Sequence, residues 1–500
     1  MRSRKKTEPA IPAAEKFNIW DVLLIALMGA WIVYVNRDIR VSGLYMDDLY
    51  NWSCYGEWTF LDFVFPMGAS RFRPVFWFIS WVELALIGTH MEWIVPINLV
   101  IMLIIAVYCY CFMKKLARSR YIAWILAMAI ITSRFSYYSI SQLLGTLESF
   151  AMLFAIIICK ELYDYANKGQ IGDFFTALFV YFVVCFTHER YMVLLPMFMY
   201  ALVVRHRDSL PRRTGLGMAS IAVFGLVQLI RFFTIGKLMP AGTGGTEVEE
   251  TFTLELAINS FKDQIKYLFG INAGPEHLNG LPWEQTPQGI RLFVYAFILM
   301  VVFIAVAFVV SLIVRRPAKA ELWRVSTNIV FFGGFMIGCM AASSVTIRVE
   351  MRWIYVTWAY MCFLLAYMYG CASKCRPAGV AAAILLSGAV LSMTVCDCYY
   401  RQWYYRIYLF TNQSRYNSLA DETYGRYGEE LWGRKIYIIG NEFGMSDFTA
   451  RTFLKVFDPQ REAKDTPIIH VDSIDQVPEG DDIIVLTEDE KNDLFVRVER

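Results

Sequence analysis

The chain has 500 residues, 57% of them apolar and only 18% charged, where soluble domains carry roughly 25%. That balance excludes an ordinary soluble enzyme. The first 400 positions hold 34 Lys/Arg and 26 Asp/Glu, a charge of +8, and the last hundred hold 13 and 19, a charge of −6. A positive excess spread that thinly is no nucleic-acid footprint, which needs basic side chains gathered on one face.

A helix crossing a bilayer needs about 20 apolar residues. Eleven stretches approach this, near 17–36, 93–113, 119–133, 144–160, 171–187, 189–205, 214–236, 291–314, 325–345, 353–371 and 377–400. The basic tail at 1–16 (MRSRKKTEPAIPAAEK) has no small-residue cleavage pattern behind it, so it reads as an uncleaved anchor with a cytoplasmic N-terminus. Sixteen Lys/Arg, at 114–120, 160–168, 205–213, 315–324 and 374–376, then fall on the N-terminal side. Only Arg134, Arg190, Arg348 and Arg352 occupy the short loops opposite, which is the bias expected of cytoplasmic loops.

The first outward loop, near 37–92, contains the segment that decides the parity. Residues 74–89 (PVFWFISWVELALIGT) are apolar but short and carry Glu83 in the middle. They are expected to lie in the outer interface as an amphipathic helix rich in Trp and Phe, as are residues 58–66. The alternative is a twelfth span or a re-entrant hairpin. A second outward loop, near 237–290, opens with AGTGGTE.

Eleven spans leave the last hundred residues outside. There KIYIIG (435–440), PIIHV (467–471), DIIVLT (482–487) and LFVRV (494–498) read as strands, and SDFTARTFLKVF (446–457) as an amphipathic helix. The expected fold is therefore an α-helical polytopic membrane protein, with a transmembrane region at 17–400 and a small extracytoplasmic α/β domain at 401–500. The eleven cysteines are scattered without a disulfide framework, and Cys371 and Cys375 lack histidine partners nearby. Asn51-Trp52-Ser53 and Asn412-Gln413-Ser414 match the glycosylation pattern, which is short enough to arise by chance.

The chemistry concentrates in the outward turns. SGLYMDDLYNW sets Asp47 beside Asp48 among aromatic residues, where mutual repulsion and burial should raise at least one carboxyl pKa. Such a pair suits a general base or a divalent cation, although an acidic first helical turn would look the same. SRFRPVFW places Arg71 and Arg73 at the start of the interfacial helix, where guanidinium forks suit lipid phosphates and also serve as ordinary interface anchors. Arg134, the His188-Glu189-Arg190 run, and Arg348, Glu350 and Arg352 sit at other outward span ends, with Glu148 near them. Ionisable groups at such depth are costly unless paired or used, so their gathering favours a polar cavity over inert helices.

This layout resembles the glycosyltransferase C superfamily, the polytopic enzymes that include protein O-mannosyltransferases, lipid A aminoarabinose transferases and oligosaccharyltransferase catalytic subunits. YMDDLY in the first outward loop, RFRPVFW before an interfacial helix, the second long loop, the late arginine pair and the terminal domain carry the likeness. It covers the whole chain by layout and is specific over roughly 45–100. The tail lacks a WWD-type motif, which sets asparagine glycosylation aside.

The resemblance implies an inverting transfer of sugar from a polyprenyl-phosphate carrier to an extracytoplasmic acceptor such as a polysaccharide, teichoic acid, lipid or protein. It makes Asp47 the general base, with Asp48 orienting it or sharing a divalent cation. Arg71, Arg73, Arg348 and Arg352 become donor-phosphate ligands. His188 and Glu189 position the acceptor, and Arg134 and Glu148 share the cavity. A bacterial cytoplasmic membrane is the expected location. The rivals are a transporter or flippase of lipid-linked sugars, a polysaccharide polymerase, and a scaffold whose outward charges pair internally.

Overall fold

The computed structural model describes residues 17–205, 208–238, 252–272, 280–345, 349–440, 445–463, 466–489 and 494–498. The basic tail, Arg348 and all of AGTGGTE lie outside them. Helices occupy every expected apolar stretch: α1 (Ile19–Val35), α5 (Ile94–Ala117), α6 (Arg120–Thr132), α8 (Gly145–Lys168), α9 (Ile171–Cys185), α10 (Leu195–Val204), α11 (Leu210–Ile235), α13 (Gln288–Arg315), α14 (Lys319–Ser344), α15 (Met351–Ala372) and α16 (Arg376–Arg401). Among the described residues, six segments are long and apolar enough to cross a membrane: α5, extended to Met91, α11, α13, α14, α15 and α16. Shorter helices lie between α1 and α5, namely α2 (Asp47–Glu57), α3 (Phe60–Val64) and α4 (Pro74–Ile87). At about 1.5 Å per residue α4 reaches only ~21 Å, short of the ~30 Å bilayer core. Ser80 and Glu83 face the protein while Phe78, Val82 and Leu86 face outward, so its polar stripe is the inward one.

Local chemistry starts and stops these helices. Asn18 and Asp21 form a capping box on α1, and Arg118 ends α5 in a left-handed conformation. Asp21 also takes the Lys114 ammonium at 2.8 and 2.9 Å, which ties α1 to α5, and Lys115 pairs with Asp164 of α8. Glu148 lies in the first turn of α8 and Asp164 in its last two turns, about 24 Å apart by helical rise. The basic loops and the YMDDLY motif therefore mark opposite ends of this helix.

The core centres on α15, where 89% of the most apolar stretch is buried, against 22% for α11 and α13 at the rim. Its polar groups find backbone acceptors on α6: Trp358 Nε1 donates to Ala129 at 3.1 Å and Tyr355 Oη to Ile130 at 3.2 Å. Gly370 lets α15 press against α5.

After α16 the chain turns into α17 (Tyr408–Glu422) and then a four-stranded sheet, β1 (Lys435–Ile439), β2 (Ile468–Val471), β3 (Ile483–Asp489) and β4 (Leu494–Arg497). The strand order is β2-β1-β3-β4, with β1 parallel to β2 and β3, and β4 antiparallel to β3. Parallel neighbours need a crossover, and α18 (Asp447–Thr452) lies in the β1–β2 connection. The Phe495 N–H of β4 donates to Ser418 Oγ of α17 at 2.8 Å, so the sheet and α17 form one packed unit.

A methyl group at Gly370 would collide with the Leu116 carbonyl oxygen, whereas one at Gly338 would meet open space. Gly370→Ala should therefore lose about 1–3 kcal/mol by overpacking, read as a lower melting temperature in detergent. Gly338→Ala should leave it unchanged or slightly raised, and equal behaviour of the two variants would contradict this close approach.

Candidate functional site

Met46 turns the chain into α2 with φ +47°, and Asp47 and Asp48 occupy the first helical turn. The two carboxylates meet different surroundings. Asp47 is exposed, whereas Asp48 is only 2% exposed. Both Asp48 oxygens accept backbone N–H groups, from Leu143 at 2.8 Å and Leu144 at 3.0 Å, in the turn between α7 (Tyr137–Ser141) and α8. Burial raises the Asp48 carboxyl to about 7; those two hydrogen bonds and the Arg352 charge oppose the rise, and the Asp47 charge adds to it. The rise expected of the acidic pair falls on Asp48, and the accessible carboxylate is Asp47.

Around this turn an ion-pair lattice gathers several helix ends. Arg73, just before α4, forks onto Glu189 with Nε–Oε2 2.6 Å and Nη2–Oε1 2.8 Å, both side chains buried. Glu148 takes Arg190 at 2.6 Å, lies 3.6 Å from His188 Nε2 and 3.8 Å from Arg352 Nε. Arg352 also pairs with Glu350 at 2.5 Å and lies 4.3 Å from the Tyr138 ring centroid. His188 Nδ1 accepts the Arg190 N–H at 3.3 Å, leaving Nε2 as the proton carrier toward Glu148. Burial, then the charges of Arg73 and Arg190, hold His188 down to about 4, so its ring is neutral at pH 7. Burial opposes ionisation of Glu189, but Arg73 outweighs it and keeps that carboxyl below its usual range. The half-buried Arg71 is held below its ordinary value first by Arg73 and then by burial, and it also experiences the charges of Glu189, Arg352 and Asp47.

The structure thus brings together Asp47, Asp48, Arg71, Arg73, Glu148, His188, Glu189 and Arg352. It places Arg134 elsewhere: Nη2 donates to the Tyr267 carbonyl at 2.6 Å, Nη1 lies 3.7 Å from Asp397, and the guanidinium sits 5.0 Å from the Phe135 ring centroid and 4.9 Å from that of Tyr400. A span-end arginine is as suited to pinning helices as to lining a cavity, and Arg134 pins α16 and α12 (Leu254–Leu268). Arg73 differs as well, because its fork is already engaged by Glu189. Arg190 emerges as more than a neighbour of Glu189: its side chain is 6% exposed, and its Nε and Nη1 have no hydrogen-bond partner among the described residues. The signal for it in the sequence was only its position after His188 and Glu189.

A separate cleft of about 410 Å³ opens where Asp38–Arg40, Tyr137 and Ser141 face α17 and β4. It shares no residue with the lattice. Among the described residues no three His, Cys, Asp or Glu side chains gather as metal ligands. With both Asp48 oxygens engaged, a divalent cation at Asp47 would draw most of its ligands from substrate oxygens and water. No protein-family model matches the chain, and no curated protein sequence matches it.

The folded Asp48 carboxyl lies above its reference value of 3.8, so the stability it contributes is complete at low pH and is lost as pH rises through about 7. Asp48→Asn has no proton to lose. Its melting temperature relative to the native chain should therefore rise between about pH 5 and about pH 8, and a difference independent of pH would return Asp48 to the ordinary carboxylate range.

Proposed function

We propose that the chain is a membrane glycosyltransferase that moves a sugar from a polyprenyl-phosphate donor to an acceptor outside the cytoplasm. The observation that carries this reading is the exposed Asp47 carboxylate beside the buried Asp48, next to a lattice in which arginines from three chain segments converge. In the reaction Asp47 takes the proton of the acceptor hydroxyl, whose oxygen attacks the anomeric carbon as the bond to the carrier phosphate breaks. The departing phosphate keeps the bonding electron pair and needs charge stabilisation more than a proton. Arg71 and Arg352, the latter 21% exposed, supply that stabilisation, with Arg190 behind them. Arg348 is assigned the same task by its place in TIRVEMRW. Asp48 orients the turn, and the Arg73–Glu189 fork with neutral His188 shapes the acceptor side. Direct displacement inverts the anomeric centre.

This reading sets the lattice end of the helices on the outer face of a bacterial cytoplasmic membrane, with eleven spans and the C-terminal unit outside. Apolar helices of spanning length support the membrane, and the clustering of Lys/Arg in alternate loops supports the orientation.

A non-catalytic scaffold is favoured by one observation: Arg73, Arg190, Arg352 and Arg134 each have a carboxylate partner within the protein. The two readings part at Asp47, whose side chain is exposed. Purified protein in nanodiscs, offered a panel of polyprenyl-phosphate monosaccharides, should transfer or hydrolyse one of them. Asp47→Asn should lower turnover by at least about 100-fold, the scale of a missing general base, and Arg71→Gln should weaken donor use. Donor binding without turnover, unchanged by either substitution, would favour the scaffold or a lipid-carrier transporter.

A further inference from the structure

We infer that the C-terminal unit holds the acidic turn in place, and that Asn417 and Arg461 are positioning residues for Asp47. The inference deepens the transferase reading and rests on it for its catalytic consequence, but the gripping itself is a matter of geometry.

Upstream of the turn, residues 40–45 run along α17. Asn417 Oδ1 accepts the N–H groups of Ser42 at 2.9 Å and Gly43 at 3.2 Å, and its Nδ2 donates to the Arg40 carbonyl at 2.9 Å. Gln413 Nε2 donates to the Gly43 carbonyl at 2.6 Å and to Asn417 Oδ1 at 3.0 Å, which fixes the Asn417 amide. A side chain at position 43 would strike the Tyr416 carbonyl, so glycine permits the close approach. Tyr45 then stacks on Tyr416 with ring centroids 4.9 Å apart.

Downstream, a different part of the unit reaches α2. The Arg461 guanidinium lies 4.0 Å from the Trp52 ring centroid and 5.0 Å from that of Tyr55, and Nη1 donates to the Trp52 carbonyl at 3.1 Å. A Cβ at Gly56 would overlap that guanidinium, so the helix surface is shaped to receive it. Arg461 adopts φ +56°, a left-handed conformation uncommon outside glycine. The loop is held there by Asp458, which accepts the backbone N–H groups of Gln460, Glu462 and Ala463 at 2.8–2.9 Å.

Met46, Asp47 and Asp48 therefore hang between two anchors on the C-terminal unit, Gly43 on one side and Trp52 on the other. Asp48 adds a third anchor on the Leu143–Leu144 backbone. An exposed carboxylate gains little from its own contacts, so its direction is set by how firmly the turn beneath it is held.

The test is amide hydrogen exchange of the full chain in nanodiscs, combined with transfer kinetics on the donor that the native protein turns over. Asn417→Ala and Arg461→Ala should each speed exchange across 43–54 by tenfold or more, leaving α15 unchanged as the control for folding. Both should lower kcat at least fivefold with KM for the donor within twofold, and Arg461→Lys, which keeps a cation over Trp52, should recover part of the loss. Unchanged exchange in 43–54 would overturn the inference whatever the activity. Faster exchange with unaltered kcat would overturn the positioning role. Native protein that turns over no donor would overturn the transferase reading separately, leaving exchange to decide the grip.

Discussion

A charge within an apolar helix bundle persists only beside its opposite, because the cost of leaving water exceeds what any other nearby contact returns. That constraint organises the lattice end of the chain. Glu148 enters from α8, Arg73 from the loop before α4, Glu189 and Arg190 from the turn after α9, and Arg352 from the start of α15. Their mutual pairing fixes where these segments meet. The bundle could tolerate fewer ionisable residues only by losing this common junction. The same rule acts at the other end, where Asp21 with Lys114 and Glu321 with Arg315 and Lys374 join neighbouring helices.

The acidic pair is where the rule is relaxed. Asp48 obeys it by borrowing two backbone N–H groups rather than a cation, which leaves its carboxyl near neutrality in pKa. Asp47 is spared burial and keeps an accessible carboxylate beside the nearest concentration of positive charge. Two adjacent residues of identical chemistry are thus separated in role by the helical rotation of about 100° between them. One is committed to holding the turn, and the other stays accessible.

Much of the architecture was legible because its signals are local. Apolar runs located the long helices to within several residues at most ends, and short β-rich runs bounded by turn residues located all four strands, β1 being expected at 435–440 and found at Lys435–Ile439. The eleven apolar stretches are all helical, but among the described residues only six segments have the length and apolarity of a span, since composition alone does not distinguish a crossing helix from a short buried one. Pairing was not legible. Arg73 and Glu189 lie 116 positions apart, and nothing in either motif names the other. For the same reason Arg134 looked like a cavity residue from its position at a span end, although Asp397 and the Tyr267 carbonyl take it into a separate contact.

The longest-range contacts are also those that bear on the acidic turn. Asn417 meets Gly43 across 374 positions and Arg461 meets Trp52 across 409, so the first loop emerges early in synthesis while its holders emerge last. Contacts of such separation form only after much of the chain is in place, because loop closure must precede the enthalpy that repays it. Until then the acidic turn has only the Asp48 bonds to the turn between α7 and α8 and no C-terminal grip. The final arrangement of the candidate site is therefore a property of the whole chain: the helices bring the arginines together, and the terminal unit sets the carboxylate against them.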